Sequence, residues 1–399
     1  MKALYTLLLM LSSLSAQTLQ ETIEQSISNN YQLQILEEEQ GITEQQADIE
    51  GFWADPKVQI GINDIQADRP FSRNLEAMQN QYATYSQTIP LSNRLQVASK
   101  LEKEKVKVIE VRKEALKVEI AYNIRKAFID ASYSQKTLYI LGNYITFLRR
   151  PMQLLINLAS VERNSVEQYI KTELLQKSYQ LKRQNALQRI DIAKEQVELI
   201  GNFKIDSFSD EVALKHYEQS NLEELLARVQ ESPTLGIATA LEEVAKKGVE
   251  LAQEREQADI TVTGGVYQRF DRNDYVSFSV AYPLYTHGKQ QKQKVQAMRR
   301  ANIQELTYKK TSVELEQGLK ITLHELKALY QELKLLKESR AKIKKLIANA
   351  KANLSVGGSL VHYYELFSQK TNNALAINQK EYSIALIENR ITQLLGEIE

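Results

Sequence analysis

Between Ser92 and Leu141 the chain carries neither a glycine nor a proline. Leu101, Val108, Val111, Ala115, Val118 and Tyr122 recur there at steps of 7, 3, 4, 3 and 4, a heptad-like seam. Mixed charge fills the spaces between them, as in KLEKEKVKVIEVRKEALK (100–117). Near the C-terminus Ile384, Ile387, Ile391 and Leu394 step by 3, 4 and 3. A helix of about 55 residues is roughly 80 Å long at 1.5 Å per residue. The core of one compact domain cannot hold that length, so such helices must pack on one another as a bundle, coiled coil or tube. The low count of 14 glycines and 6 prolines in 399 residues fits long helices.

The landmarks of the chain occur twice. Pro90 and Pro283 each close an alternating segment and lie 193 residues apart. ERNSVEQY (162–169) resembles GGSLVHYY (357–364), with Ser165 and Ser359 194 apart. ADPKVQIGIN (54–63) pairs with ADITVTGGVY (258–267) at an offset of 204, and Leu33 matches Leu235 at 202. Four landmarks in one order imply a tandem duplication. Repeat 1 covers 17–200, a linker 201–219, and repeat 2 covers 220–399. The offset falls from 204 to 193 between the strand landmarks. The excess of repeat 1 therefore belongs to the polar stretch Gln66–Asn80, a loop.

Each repeat predicts two strands followed by two long helices. The strands are expected at about 58–66, 81–89, 259–268 and 275–285, from period-two alternation rich in β-branched and aromatic residues. In the last of these Val276, Phe278, Val280, Tyr282 and Leu284 face one way, and Ser277, Ser279 and Ala281 the other. Each segment is about nine to eleven residues, enough for one tilted bilayer crossing. The helices are expected at 92–148, 165–200, 288–350 and 359–396.

The N-terminal MKALYTLLLMLSSLSAQ has the layout of a secretory signal peptide. Lys2 precedes an apolar core from Ala3 to Leu14, and small residues at Ser13, Ser15 and Ala16 place cleavage near residue 16. No other run approaches the roughly 18 apolar residues of a membrane helix. A net charge of +1 gives no reason to expect nucleic acid as a partner. The absence of cysteine excludes disulfides, thiolate metal sites and N-terminal cysteine lipidation.

Four strands cannot close a barrel, and lipid cannot satisfy the edges of an open sheet. If the strands lie in a membrane, several chains must share one barrel, and a homotrimer supplies about 12 strands, within the even-numbered range of outer-membrane barrels. Tyr82, Tyr85, Tyr267, Tyr275, Tyr282 and Tyr285 lie in or beside the strands, where aromatic girdles sit; tyrosine also simply suits strands. Pro90 and Pro283, having no N–H, end the ladders where the chain leaves lipid and becomes a charged helix. The fold class is mainly α with a small membrane β part.

These features together resemble the trimeric outer-membrane efflux channels of the TolC type across essentially the whole mature chain. The resemblance rests on the signal peptide, the duplicated strand–strand–helix–tip–helix unit and the strand ends QTIP (87–90) and VAYP (280–283). Tip segments SVERNSVEQYI (160–170) and SVGGSLVHYYEL (355–366) stand where that family has helical hairpins. It implies a 12-stranded β-barrel continued by a 12-helix periplasmic tunnel. It also implies docking to a periplasmic adaptor and to an inner-membrane pump of the RND type. Residues 54–91, with Asp55-Pro56, a long polar loop and a Q-x-x-P end, look like the heavy-metal efflux branch, cobalt-zinc-cadmium or copper-silver. The missing cysteine argues against the closest copper-type assignment.

No catalytic set, cofactor motif or clustered metal-ligand spacing is present in the sequence. His216, His287, His324 and His362 are widely spread. Members of the resembled family often carry two acidic residues three apart at the second tip, forming rings that narrow the periplasmic entrance. Those positions are His362 and Glu365, so Glu365 keeps the charge and His362 departs. Their repeat 1 counterparts are Gln168 and Lys171. Clustered carboxylates favour cations, and histidine is the side chain whose charge changes near neutral pH; a solvated helix surface is the plainer account of both residues. Arg163, Asn164 and Ser165 at one tip, and Gly357, Gly358 and Ser359 at the other, are expected to dock the adaptor. They also suit turn geometry, since glycine accepts positive φ and asparagine tolerates the left-handed region. The competing function is a periplasmic coiled-coil scaffold or adaptor without a barrel. An adaptor would carry compact β-domains outside one hairpin, whereas here strand pairs precede two. Drug efflux and type I secretion share this architecture, so fold does not fix cargo.

Overall fold

The computed structural model describes residues 18–159, 163–208, 212, 215–354 and 359–398. The expected signal segment 1–16 lies outside them. The elements in order are α1 (Leu19–Asn29), α2 (Tyr31–Gly51), β1 (Lys57–Asn63), β2 (Asn80–Ile89), α3 (Arg94–Ala159) and α4 (Arg163–Gly201). A short 3-10 turn (Tyr217–Gln219) leads to α5 (Leu222–Gln230), α6 (Pro233–Glu254), β3 (Ile260–Gln268), β4 (Tyr275–Ala281), α7 (Lys289–Leu354) and α8 (Leu360–Leu394). Both repeats open on a capped helix. Thr18 and Glu21 form a capping box on α1, and the Asn221 side chain accepts from Glu223 N–H on α5. The two longest helices, α3 and α7, have 66 residues each.

α3 was expected to stop at residue 148 but runs to Ala159, with Pro151 inside it. Proline there removes one hydrogen bond and disfavours the preceding turn. Pro151 is buried and lines an apolar cleft with Leu148, Leu154, Leu155 and Leu175, and that packing outweighs the loss.

The chain divides into two units. The helical unit comprises residues up to 34, 114–232 and 313–399. Its core gathers Ile23 of α1, Ile120, Ile124 and Phe128 of α3, Ala193 and Val197 of α4, Phe208 of the inter-repeat link and Ala385 of α8. Ala121, Ala127 and Ala131 of α3 are fully buried too, small enough to let neighbouring helices approach. Polar side chains fix the register of α8 on α3. Asn378 donates to the Tyr133 carbonyl at 2.9 Å, and Asn389, three turns on, donates to the Tyr122 carbonyl at 2.9 Å. Arg125 gives one N–H to Asn389 and another to the Ile398 carbonyl. Burial holds its guanidinium below the usual arginine range.

The second unit, 35–113 and 233–312, holds a four-stranded sheet of order β1-β2-β3-β4, antiparallel throughout. Lys57 faces Ser86 in the first hairpin, so the sequence offsets would set Thr261 opposite Ser279. Thr261 instead pairs with Ala281, a slip of two residues that keeps every side chain on its face. The β1–β2 connection has sixteen residues against six for β3–β4, in line with the excess expected in repeat 1. Buried Gln79 organises that longer loop, accepting from Leu75 N–H and donating to the Asp64 and Ser72 carbonyls. At the other end of the sheet Arg94 makes a two-point contact with Asp259, and Asn93 N–H donates to Glu254.

The edge strands are shorter than the sequence suggests. β1 and β4 have seven residues each, not nine to eleven. β1 stops where Asp64 adopts a left-handed turn at φ 61. β4 ends at Ala281 rather than Leu284 or Tyr285. Beyond Ala281 the register offers only Ile260, the first residue of β3, and Pro283 has no N–H to donate. Pro90 does follow β2 directly, whereas Pro283 lies two residues past its strand.

Candidate functional site

The register sorts the sheet into two unlike faces. Val58, Ile60, Ile62, Ala83, Tyr85, Ile89, Ile260, Val262, Val266, Val276, Phe278 and Val280 share one face, interrupted by Gln81 and Gln87 near its ends. This face is open: Ile60 is 80% exposed and Phe278 82%. The other carries Gln59, Thr84, Ser86, Thr88, Thr261, Thr263, Ser277 and Ser279. Tyr82, Tyr267 and Tyr275 stack in a row on this polar face, with centroids 5.6 and 4.7 Å apart. They therefore do not belong to an aromatic girdle on the apolar side, as their position in the strands had suggested; Tyr85 alone of the four strand tyrosines shares the apolar face. Gly61 leaves room for this row, since a Cβ there would lie 2.5 Å from the Tyr82 hydroxyl. Among the described residues nothing pairs with the outer sides of β1 and β4. An exposed apolar sheet face of this size, with two open edges, is not a stable surface in water.

At the second tip Ser359 is the N-cap of α8, its hydroxyl accepting from His362 N–H at 3.3 Å. The capping role explains a serine there without reference to any partner. His362 follows in the first turn and Glu365 in the second, 62% and 67% exposed at their side chains, with Nδ1 and Oε2 4.0 Å apart. Glu365 lines a cleft of about 230 Å³ together with Pro151, Gln168, Lys171, Val361 and Tyr364. The repeat 1 counterparts Gln168 and Lys171 thus share a cleft with Glu365, and Lys171 is ion-paired with Glu167 at 2.5 Å. Beneath the tip Phe147 stacks on Phe367 at 4.1 Å, and Tyr144 meets Tyr179 edge-on at 4.9 Å. Burial pushes the Tyr144 phenol up to about 12, against a hydrogen bond from Ser368 that pulls it down. Arg163, Asn164 and Ser165 have helical backbone at the start of α4, so Asn164 is not in the left-handed turn the sequence suggested. Gly357 and Gly358 lie outside the described residues.

The structure also assembles a cluster that sequence spacing could not reveal. Glu388 of α8 is 4% exposed. Its carboxylate accepts the backbone N–H groups of Lys215 at 2.6 Å and His216 at 3.0 Å, and the Tyr330 hydroxyl at 2.8 Å. His216 takes φ 57, a region histidine tolerates, and this turns the two successive amides toward one anion. Burial raises the Glu388 carboxyl above the usual range, while the Tyr330 and backbone hydrogen bonds oppose that rise. The Tyr330 phenol is likewise raised, by burial first and then by the Glu388 carboxylate. The sequence offered no clustered metal ligands. Folding nevertheless brings the imidazole of His216 and the carboxylates of Glu218 and Glu388 within 4.8 Å of one another.

No protein-family profile matches the chain, and no curated protein matches it in sequence. Solved structures do match. The outer membrane protein VceC of Vibrio cholerae superposes with a TM-score of 0.75 at 14% identity, covering 96% of this chain and 97% of that one. The CmeC outer membrane channel of Campylobacter jejuni gives 0.76 at 14%, over 96% and 86%. The MtrE outer membrane channel of Neisseria gonorrhoeae, in its open state, gives 0.74 at 15%, over 95% and 89%. At such identities the likeness is one of fold. Over nearly its whole length this chain has the fold of the bacterial outer-membrane channels that its duplicated repeats resemble.

Proposed function

We propose that three copies of this chain form a passive export duct in the outer membrane of a Gram-negative cell. Each would supply four strands to a shared 12-stranded barrel and its long helices to a periplasmic tunnel. The observation that carries this reading is the single apolar sheet face, widely exposed on its outer strands and flanked by two unpaired edges. Lipid suits the face, and only closure with neighbouring copies satisfies the edges. The polar face, with its tyrosine row, then lines the interior. The duct contributes no chemistry of its own. It would work with a periplasmic adaptor and an inner-membrane pump of the RND type, the tips at 160–170 and 355–366 receiving the adaptor. The likeness of residues 54–91 to heavy-metal efflux channels favours metal cations as cargo.

The test is the mass of the mature protein extracted in detergent from outer membranes, by light scattering with the detergent subtracted. A particle of three protomers confined to the membrane fraction is the expected result. A soluble monomer or dimer would remove the strands from lipid and transfer the reading to a coiled-coil scaffold.

Within the duct, Glu365 would form a ring of three carboxylates at the periplasmic aperture, modulated by His362. Glu365→Ala is then expected to lower the cation preference of single channels in planar bilayers severalfold and to weaken block by multivalent cations. Unchanged conductance and block would leave Glu365 as an ordinary surface residue.

A further inference from the structure

The buried cluster at the inter-repeat link has the makings of a ligand site that duct function does not call for. His216 is exposed, Glu218 half-buried and Glu388 buried, so the three residues run from solvent inward. Glu218 Oε2 is buried and has no hydrogen-bond partner. Among the described residues, the donors to Glu388 are two backbone amides and a phenol, none of them a full positive charge. The neighbouring cations Lys215 and Arg228 are paired with Glu397. Two carboxylates thus share a confined space and both bear on the Tyr330 phenol, whose single proton goes to Glu388, an arrangement that a cation would relieve.

A neighbouring phenol sets the tautomer of the imidazole. The Tyr330 hydroxyl gives its one proton to Glu388 and lies 3.1 Å from His216 Nδ1. It therefore accepts from Nδ1–H, which leaves the lone pair of the neutral ring on Nε2. A ring nitrogen held by an outer hydrogen-bond partner while the other stays free is the arrangement seen around metal-bound histidines.

We propose that His216, Glu218 and Glu388 bind one divalent transition-metal ion of the zinc class per chain, resident at the inter-repeat link. One imidazole and two carboxylates form a borderline-to-hard donor set suited to zinc, with solvent completing the shell. Donor atoms of a tetrahedral zinc site lie about 3.4 Å apart for bonds of 2.0–2.2 Å. The three donor atoms, now within 4.8 Å of one another, would draw closer around the ion. The ion would tie the turn Tyr217–Gln219 to α8. It is distinct from any exported cargo, and it stands or falls apart from the duct.

The experiment uses the full mature chain in detergent, stripped with a chelator and titrated with zinc chloride in equilibrium dialysis, with bound metal measured directly. One zinc per chain is expected, with binding at least tenfold weaker in both His216→Ala and Glu218→Gln. Tyr330→Phe, which removes the outer partner, is expected to weaken binding about tenfold. His324→Ala, an exposed histidine elsewhere, retains full binding. Glu218→Gln is nearly isosteric and Glu218 makes none of the hydrogen bonds that Glu388 accepts, so it carries the test even if His216→Ala fails to fold. Absence of zinc on the wild-type chain would overturn the proposal, as would wild-type affinity in Glu218→Gln.

Discussion

Phe278→Arg is expected to abolish the assembled membrane form, while Ser279→Arg, its neighbour in sequence, leaves assembly largely intact. Phe278 is the middle residue of β4 and sits on the apolar face opposite Gly264; Ser279 points to the other side, opposite Thr263. On the proposed reading the first side meets lipid near the bilayer midplane and the second meets water in the barrel. An arginine at the midplane of a barrel's lipid face costs about 2–4 kcal/mol, and three copies in a trimer raise that to roughly 6–12 kcal/mol. On the water side the same arginine costs little beyond the lost β-propensity of a serine, itself small. The measurement is the fraction of each variant recovered as trimer from the outer membrane. Equal recovery of the two, in either direction, would mean the apolar face does not meet lipid.

The sequence made the sheet legible because alternation survives burial and exposure alike: whichever phase surrounds it, a strand with one apolar face reads as period two. Its ends were less legible. β4 kept alternating through Tyr282 and Leu284, yet the ladder stopped at Ala281 because the partner strand ran out at Ile260. Partner length is not written into the strand that loses it. The girdle expectation failed for a related reason. Tyr82, Tyr267 and Tyr275 were noticed as strand tyrosines, but their face is decided by parity against neighbours across the register, and that parity is polar.

Helix seams were readable where a helix has one packed side. Val108 and Val118 of the seam in α3 are buried, as are Ile384 and Ile391 of α8, while Ile387 and Leu394 fall half a step aside. The seam says little about residues 120–134, where α3 is buried on most of its circumference and no stripe remains to find. The cluster of His216, Glu218 and Glu388 was invisible for a different reason. Glu388 lies about 170 residues from His216 and Glu218, and what joins them is a carboxylate accepting backbone amides, which leaves no residue-type signature.

That encircled stretch of α3 is where a single deletion should cost most. Phe128 is fully buried and meets Phe208 edge-to-face at 4.9 Å and 86°. Phe208 belongs to the link between repeats, so this ring pair joins the end of repeat 1 to its own long helix. Phe128→Ala is expected to destabilise the helical unit by about 3–5 kcal/mol, from lost burial and the cavity left behind. The alanines around it, Ala121, Ala127 and Ala131, have no rotamers with which to refill the space, which places the cost toward the upper end. For a unit of this size the loss corresponds to a fall of about 10 °C or more in the thermal midpoint of the helical signal. Phe208→Ala should cost somewhat less, since Phe208 is 7% exposed where Phe128 is fully buried. The double variant should fall short of the sum by about 0.5–1.5 kcal/mol, the worth of an aromatic pair beyond its area. Strict additivity would show that the two rings are buried independently and that their edge-to-face contact adds nothing beyond the area each one buries.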